Sequence, residues 1–257
     1  MIRSWAKAKG IENRGVRVSN KDRPKSGQQL PGDPATMPKA TIGRLSLYLR
    51  HIEHLLAQGQ ETISSNRLGE ALDISDAQVR KDLGHFGPMG YPGVGYRIPE
   101  LRGRLRAALG TNRTWNVALI GMGNLGRALF GYGGFFHRGF VVTALFDNDS
   151  RVIGTEHAGM MVHGIDELNR LTRDLGLQLA ILAVPIAAAD EVAKKVEEAG
   201  ISGILNFAPV RLNVKKDVSV VSVDLGLQLE QLAFLVNRKI NPGDDAKAPG
   251  DGETLPM

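Results

Sequence analysis

Residues 115–130 read Trp-Asn-Val-Ala-Leu-Ile-Gly-Met-Gly-Asn-Leu-Gly-Arg-Ala-Leu-Phe, and the architecture of the chain is decided there. Val117 to Ile120 is an apolar run with the look of a buried strand. Gly121-Met122-Gly123-Asn124-Leu125-Gly126 follows, and Arg127 to Phe130 suits a helix. A second apolar run, Phe140 to Phe146, ends in Asp147. The order is strand, glycine turn, helix, strand, acid, which is what a dinucleotide requires. Gly121 allows a tight turn, Gly123 lets the backbone approach a pyrophosphate, and Gly126 lets the helix pack close to the strand. The helix N-terminus offers the phosphates unpaired N–H groups and the positive end of its dipole. Asp147, 21 residues after Gly126, is placed to accept the hydroxyls of the adenosine ribose. Its charge would repel a 2′-phosphate and so favours NAD(H) over NADP(H), although Arg151 lies close in sequence. The plainer reading of Asp147 is a strand-end turn former, since Asn148, Asp149 and Ser150 follow it.

The rest of the composition bounds what such a core can belong to. The chain has 257 residues, 42% of them hydrophobic and 23% charged, enough for two domains with separate cores. It contains no cysteine, which removes disulfides and thiolate metal sites. No apolar run is long enough to span a membrane and no secretory signal is visible, so a cytoplasmic location is the default. The six histidines show no metal-ligand spacing, and no metal is expected. Charge is unevenly spread. Residues 1–40 carry nine Lys and Arg against three Asp and Glu, a net +6, whereas residues 110–257 carry 14 against 17, a net −3. A basic N-terminal portion on a mildly acidic cofactor half suggests contact with nucleic acid at one end.

Working outward toward the N-terminus, Ile42, Leu45, Leu49, Ile52 and Leu56 recur at three and four residues and predict an amphipathic helix ended by Gly59. Ser64 or Ser65 caps a second helix, and Ser75 caps a third running to about Phe86, with Val79, Leu83 and Phe86 on one face. Residues 87–98 alternate glycine, proline and aromatic residues, which suits a tight hairpin. Three short helices and a hairpin make a winged helix-turn-helix whose third helix would enter the major groove. Ser75, Gln78, Arg80 and Lys81 on that helix, with Tyr96 and Arg97 on the wing, are the candidate contacts to double-stranded DNA. Leu101 to Leu109 reads as a basic helical connector carrying Arg102, Arg104 and Arg106. Residues 1–38, rich in glycine and proline, read as a disordered basic extension.

Toward the C-terminus the strand–helix alternation continues. Asp166–Leu175 is helical, Leu179–Val184 a strand, Ala188–Ala199 a helix, and Ile201–Leu205 and Val218–Val223 strands. The segment Gly159 to Gly164 around His163 looks turn-like. Such units build a parallel sheet covered on both faces, with ligands at the carboxyl ends of the strands. That places Val184, Pro185, Asn206, Phe207 and Ala208 beside the nicotinamide end of a bound cofactor, with strand termination and core packing as the alternative reading. The last helix, from about Asp224, is apolar on more than one face and calls for burial against a second subunit. The tail from Asn241 reads as disordered.

Arg80-Lys81-Asp82-Leu83, Gly93-Val94-Gly95-Tyr96, the glycine turn, Ile204-Leu205-Asn206-Phe207-Ala208-Pro209 and Val223-Asp224-Leu225 together resemble the Rex family of redox-sensing transcriptional repressors, in matching order over about residues 38–240. The resemblance implies a winged helix at 39–110, a Rossmann domain at 111–224 and a C-terminal helix at 225–240 swapped between the subunits of a homodimer. It implies NADH and NAD⁺ as regulatory ligands, with operators bound when NADH is scarce and released when NADH closes the dimer. It also implies that Arg50, Tyr132 and Asp224 couple the domains, with no catalytic residue. An NAD-dependent oxidoreductase is the alternative, but no proton-transfer constellation stands out after the second strand. A module of the CoA-binding type shares the same core.

Overall fold

A computed structural model describes residues 37–240, so residues 1–36 and 241–257, expected to be disordered, lie outside the described residues. No described helix is long and apolar enough to cross a membrane. The described residues divide into two compact units, one of 37–114 with 134–140, the other of 115–133 with 141–240.

The first unit begins with α1 (Lys39–Ala57). Its buried stripe is Thr41, Leu45, Tyr48, Leu49, Ile52 and Leu55. The stripe is rotated from the expected one: Ile42 stands 41% exposed, because Tyr48 rather than Ile42 fills the core side of the helix. A two-residue strand, β1 (Thr62–Ile63), precedes α2 (Ser65–Leu72) and α3 (Asp76–Gly84). Both helices are capped as their serines predict. Ser64 Oγ accepts from the Arg67 amide and Ser75 Oγ from the Gln78 amide, each satisfying an otherwise unpaired N–H. Asp73 in the left-handed region, at φ 55°, ends α2 and makes the tight turn between the two helices.

The hairpin β2 (Gly90–Tyr91) and β3 (Gly95–Arg97) follows as expected. β1 adds to it as a third strand, with Ile63 opposite Tyr96. Gly95, at φ 89°, faces the Ile63 carbonyl so closely that a Cβ could not fit. Residues 98–108 form α4 (Ile98–Ala108), and this corrects the reading of a mere connector. Ile98, Leu101 and Leu105 are buried at helical spacing and close the core against α1, while the arginines occupy the remaining faces.

The second unit is a seven-stranded sheet. Its strands are β4 (Trp115–Ile120), β5 (Phe140–Asp147), β6 (Glu156–His157), β7 (Met160–Gly164), β8 (Leu179–Leu182), β9 (Gly203–Asn206) and β10 (Ser219–Ser222). The order is β10-β9-β8-β4-β5-β7-β6. Parallel pairs run from β10 through β4 and between β5 and β7, and β6 pairs antiparallel with β7 at the edge. Counted from β4, this is the doubly wound order 3-2-1-4-5-6, with its switch point between β4 and β8. The segment around His163 is therefore the third parallel strand and not a turn. Its apolar residues, Met160, Met161 and Val162, are too few to show a period, so the glycines dominated the reading. Helices α5 (Asn124–Gly131), α6 (Leu168–Leu175), α7 (Ile186–Glu198) and α8 (Leu225–Ile240) complete the unit. Ala118, Ile120, Phe146, Leu182 and Val196 lie in one continuous core.

Candidate cofactor cavity and DNA-reading helix

A cavity of about 700 Å³ opens at the carboxyl ends of β4, β5 and β8, within the range of small-ligand sites. The chain reverses out of β4 at Gly121, at φ 95°, where a Cβ would strike the Ala183 carbonyl. Gly126 is buried, and a Cβ there would collide with the Gly121 carbonyl oxygen. Gly123 is the opposite case. Its φ of −67° suits any residue, and nothing lies within 4 Å of its Cβ position. Two glycines thus serve the fold, and the third leaves a clear path to the backbone. Gly123 is also the N-cap of α5 and offers no side-chain cap, so the first N–H groups face the cavity without a protein partner of that kind.

Asp147 closes the rim. Its Oδ2 accepts from the Met122 amide at 2.7 Å, and its Oδ1 from the Asn148 and Asp149 amides at 2.7 and 2.9 Å. The carboxylate therefore pins the glycine turn to the end of β5 and turns the chain, as a turn former would, while remaining on the cavity wall. Arg151 is committed elsewhere. Its guanidinium grips Asp149 at 2.7 Å and holds that carboxyl down at about 2.

Met122, Asn124 and Leu125 line the cavity, as do Val184, Pro185 and Phe207 on the opposite wall. Asn206 does not. It is fully buried, its Nδ2 donating to the Ala208 and Val210 carbonyls and its Oδ1 accepting from the Ala208 amide. This corrects its placement as a cofactor contact: the amide fastens the turn after β9, which carries Phe207 to the cavity. Ala208 is likewise a core residue. Asp224 Oδ1 accepts from the Leu227 amide and caps α8. Arg50 and Tyr132 are exposed, each within its own unit.

In the first unit, α3 exposes Lys81 and Arg80. Arg80 Nη1 donates to Asp76 Oδ2 at 2.6 Å and to Ser65 Oγ at 3.2 Å. Arg97 is exposed on the wing, its guanidinium 5.0 Å from the centre of the Tyr91 ring. Tyr96 is 8% exposed and belongs to the core, which corrects its placement as a DNA contact. Strand alternation sends Tyr96 inward and its neighbour Arg97 outward. Sequence reasoning passed over Asp82. It is buried on α3 and accepts Arg44 Nε at 2.6 Å and Nη2 at 2.8 Å, Tyr48 Oη at 2.9 Å and Gln78 Nε2 at 2.8 Å. Burial pushes its carboxyl up, but these donors together outweigh burial and hold it below the ordinary carboxylate value. The signal was present: Asp82 falls in the same helical stripe as Val79, Leu83 and Phe86. Among the described residues no cluster of His, Asp and Glu could hold a metal ion.

Two family models match the chain. One, described as the N-terminus of putative DNA-binding proteins, covers residues 36–84, and the other, a CoA-binding domain, covers residues 112–210. The redox-sensing transcriptional repressor Rex of Carboxydothermus hydrogenoformans is 46% identical over 79% of this chain and 97% of its own length. The chain belongs to the Rex family. The Rex repressor of Streptomyces griseus is 41% identical over 85% of this chain and 87% of its own. A Rex-family repressor named RSP, solved with β-NAD⁺ and operator DNA, superposes with a TM-score of 0.77 at 32% identity, covering 82% of this chain and 99% of that one. The same protein with β-NADH gives a TM-score of 0.71. Rex proteins are regulators, so this chain is a redox-sensing transcriptional repressor and not an enzyme. The oxidoreductase alternative falls, and the CoA-binding match reflects a shared Rossmann core.

Proposed function

We propose that this Rex protein binds palindromic operator DNA through its winged helix when NADH is low, and lets go when NADH occupies the cavity at Gly121–Gly126. Residues 39–110 serve as the DNA-binding domain, 111–224 as the NAD(H)-binding domain and 225–240 as the dimerisation helix of a cytoplasmic homodimer. The observation that carries this reading is the glycine-turn cavity, with Gly123 open and Asp147 on the rim, in one chain with a capped recognition helix. The α5 N–H groups would hold the pyrophosphate. Val184, Pro185 and Phe207 would face the nicotinamide, where an apolar wall disfavours the charged ring of NAD⁺ relative to NADH. With Arg151 paired to Asp149, the cation nearest Asp147 in sequence does not offset its repulsion of a 2′-phosphate.

The helix α8 supports the dimer. Leu225, Leu229, Leu232 and Phe234 are each more than half exposed in the single chain, an apolar surface too large for a solvated helix. Arg50 and Asp224 would form an inter-domain pair in one state, and Tyr132 would help couple the domains, so that ligand binding biases a two-state equilibrium. A shift from mostly bound to mostly released requires differential affinity of several kcal/mol.

The test is selection from a random duplex pool at fixed salt, repeated with NADH, NAD⁺ and NADPH. A palindromic site released by NADH and spared by NAD⁺ and NADPH is expected. Failure to retain any duplex without cofactor would remove the operator reading.

A further inference from the structure

Gln78 is the third residue of α3, in the turn of a recognition helix that meets base edges, and its side chain is not free to choose its orientation. Asp82, one helical turn on, is 1% exposed. Its carboxylate has about four lone-pair sites. Arg44 takes two through Nε and Nη2, Tyr48 Oη takes the third, and Gln78 Nε2 takes the fourth at 2.8 Å. Arg44 is itself braced by Thr41 Oγ1 at 3.1 Å, so the cluster joins α1 to α3. An ionised carboxylate accepts and cannot donate. A glutamine amide beside it must therefore turn its nitrogen inward and its oxygen away. The usual ambiguity between the two amide orientations is removed here by chemistry.

We infer that Gln78 is a specificity-determining residue for the operator and that Asp82 positions it, so that Gln78 presents Oε1 as an acceptor to a base carrying an exocyclic amine, adenine or cytosine. Each base pair carries one such amine in the major groove, beside the guanine or thymine oxygen of its partner, so Oε1 discriminates by where the amine lies and opposes the pair that puts the oxygen there. Exposed Arg80 and Lys81 lie beside it on the same helix and supply the contacts to phosphate, which position the helix without reading sequence. This inference rests on the operator reading above.

The experiment is duplex selection with the full-length protein, with Gln78→Ala and with Asp82→Asn, each followed by binding at several salt concentrations. The wild type should select one base pair at one symmetric position of each half-site, and removing its exocyclic amine (purine in place of adenine, or 2-pyrimidinone in place of cytosine) should weaken wild-type binding by about tenfold and Q78A binding much less. Q78A should lose that preference by about tenfold while the salt dependence stays unchanged, since no phosphate contact is touched. D82N offers both a donor and an acceptor, frees the amide to rotate, and should admit at that same position the reversed base pair, which places the guanine or thymine oxygen where the amine lay. A uniform loss of affinity with every base preference retained would mark the cluster as structural and overturn the inference. If Q78A selects the same site as the wild type, or removal of the exocyclic amine weakens the wild type and Q78A alike, the inference is overturned while the operator reading stands. Neither outcome needs a folded D82N. If the wild type retains no duplex, the operator reading fails and the inference fails with it.

Discussion

Asp147 holds two duties with one carboxylate. It accepts three backbone amides and sits on the cavity wall where a ribose would lie. Asp147→Ala should weaken NADH binding at least tenfold, the scale of a lost charged hydrogen bond, and leave cofactor-free DNA binding intact. Calorimetric titration with NADH checks it, and an unchanged affinity removes Asp147 from the site. Tyr96 makes the opposite point. Its place on the wing beside exposed Arg97 suits a DNA contact, yet burial assigns it to the core. Tyr96→Phe should leave operator affinity within about twofold. Tyr96→Ala should lower stability by about 3 kcal/mol, as large-to-small core substitutions do. A large loss of DNA affinity in the phenylalanine variant, measured by fluorescence anisotropy, would return the hydroxyl to the interface. Asn206 was legible only as a polar residue at a strand end. Whether it faced the cavity or the turn depended on where the chain went after Phe207.

Among the elements, the glycine turn separates folding from function. Gly126→Ala places a methyl against the Gly121 carbonyl and should destabilise the Rossmann unit by more than 2 kcal/mol, seen as a lowered melting temperature. Gly123→Ala meets nothing in the fold, and its backbone angles are ordinary, so its melting temperature should stay within a degree or two while NADH affinity falls. If G123A binds NADH normally, the pyrophosphate does not pass over that backbone. The α1–α3 pair has its own electrostatic signature. Removing one partner of a buried ion pair typically costs about 3 kcal/mol, and Asp82→Ala should do so, because it strands Arg44 and Tyr48. Since the folded Asp82 carboxyl is held below its unfolded value of about 3.9, its contribution is complete above about pH 4 and disappears as pH falls through the folded value. Denaturant midpoints of wild type and D82A should therefore converge in acid and separate toward neutrality.

At the scale of the whole molecule, the proposed homodimer rests on α8. The apolar residues of α8 cover more than one side of the helix, and a monomer leaves them in water. Leu229→Asp should reduce the dimer to monomer in sedimentation and abolish the rise of melting temperature with protein concentration. A variant that stays dimeric would place the interface elsewhere. A monomer would also lose high-affinity binding to a palindromic site, because two reading heads would no longer be tethered.

The order of elements and the chemistry of the glycine turn could be read without coordinates, because both depend on neighbours in the chain. Apolar runs mark strands, Ser64 and Ser75 cap helices, Gly121 turns at a positive φ that glycine takes readily, and Gly126 answers to Gly121 five residues before it. The family could be read for the same reason, since its motifs are local strings in a fixed order. Side-chain destiny could not. Tyr96 turned inward because β1, two residues long and without a visible period, came to lie beside β3. Residues 98–108 became core because α1 needed a partner along its buried stripe. Asp82 became a buried hub because Arg44 and Tyr48, 38 and 34 residues away, converge on it. Local propensity names the element, but burial is a property of the packed neighbourhood, and that neighbourhood exists only once distant segments have met.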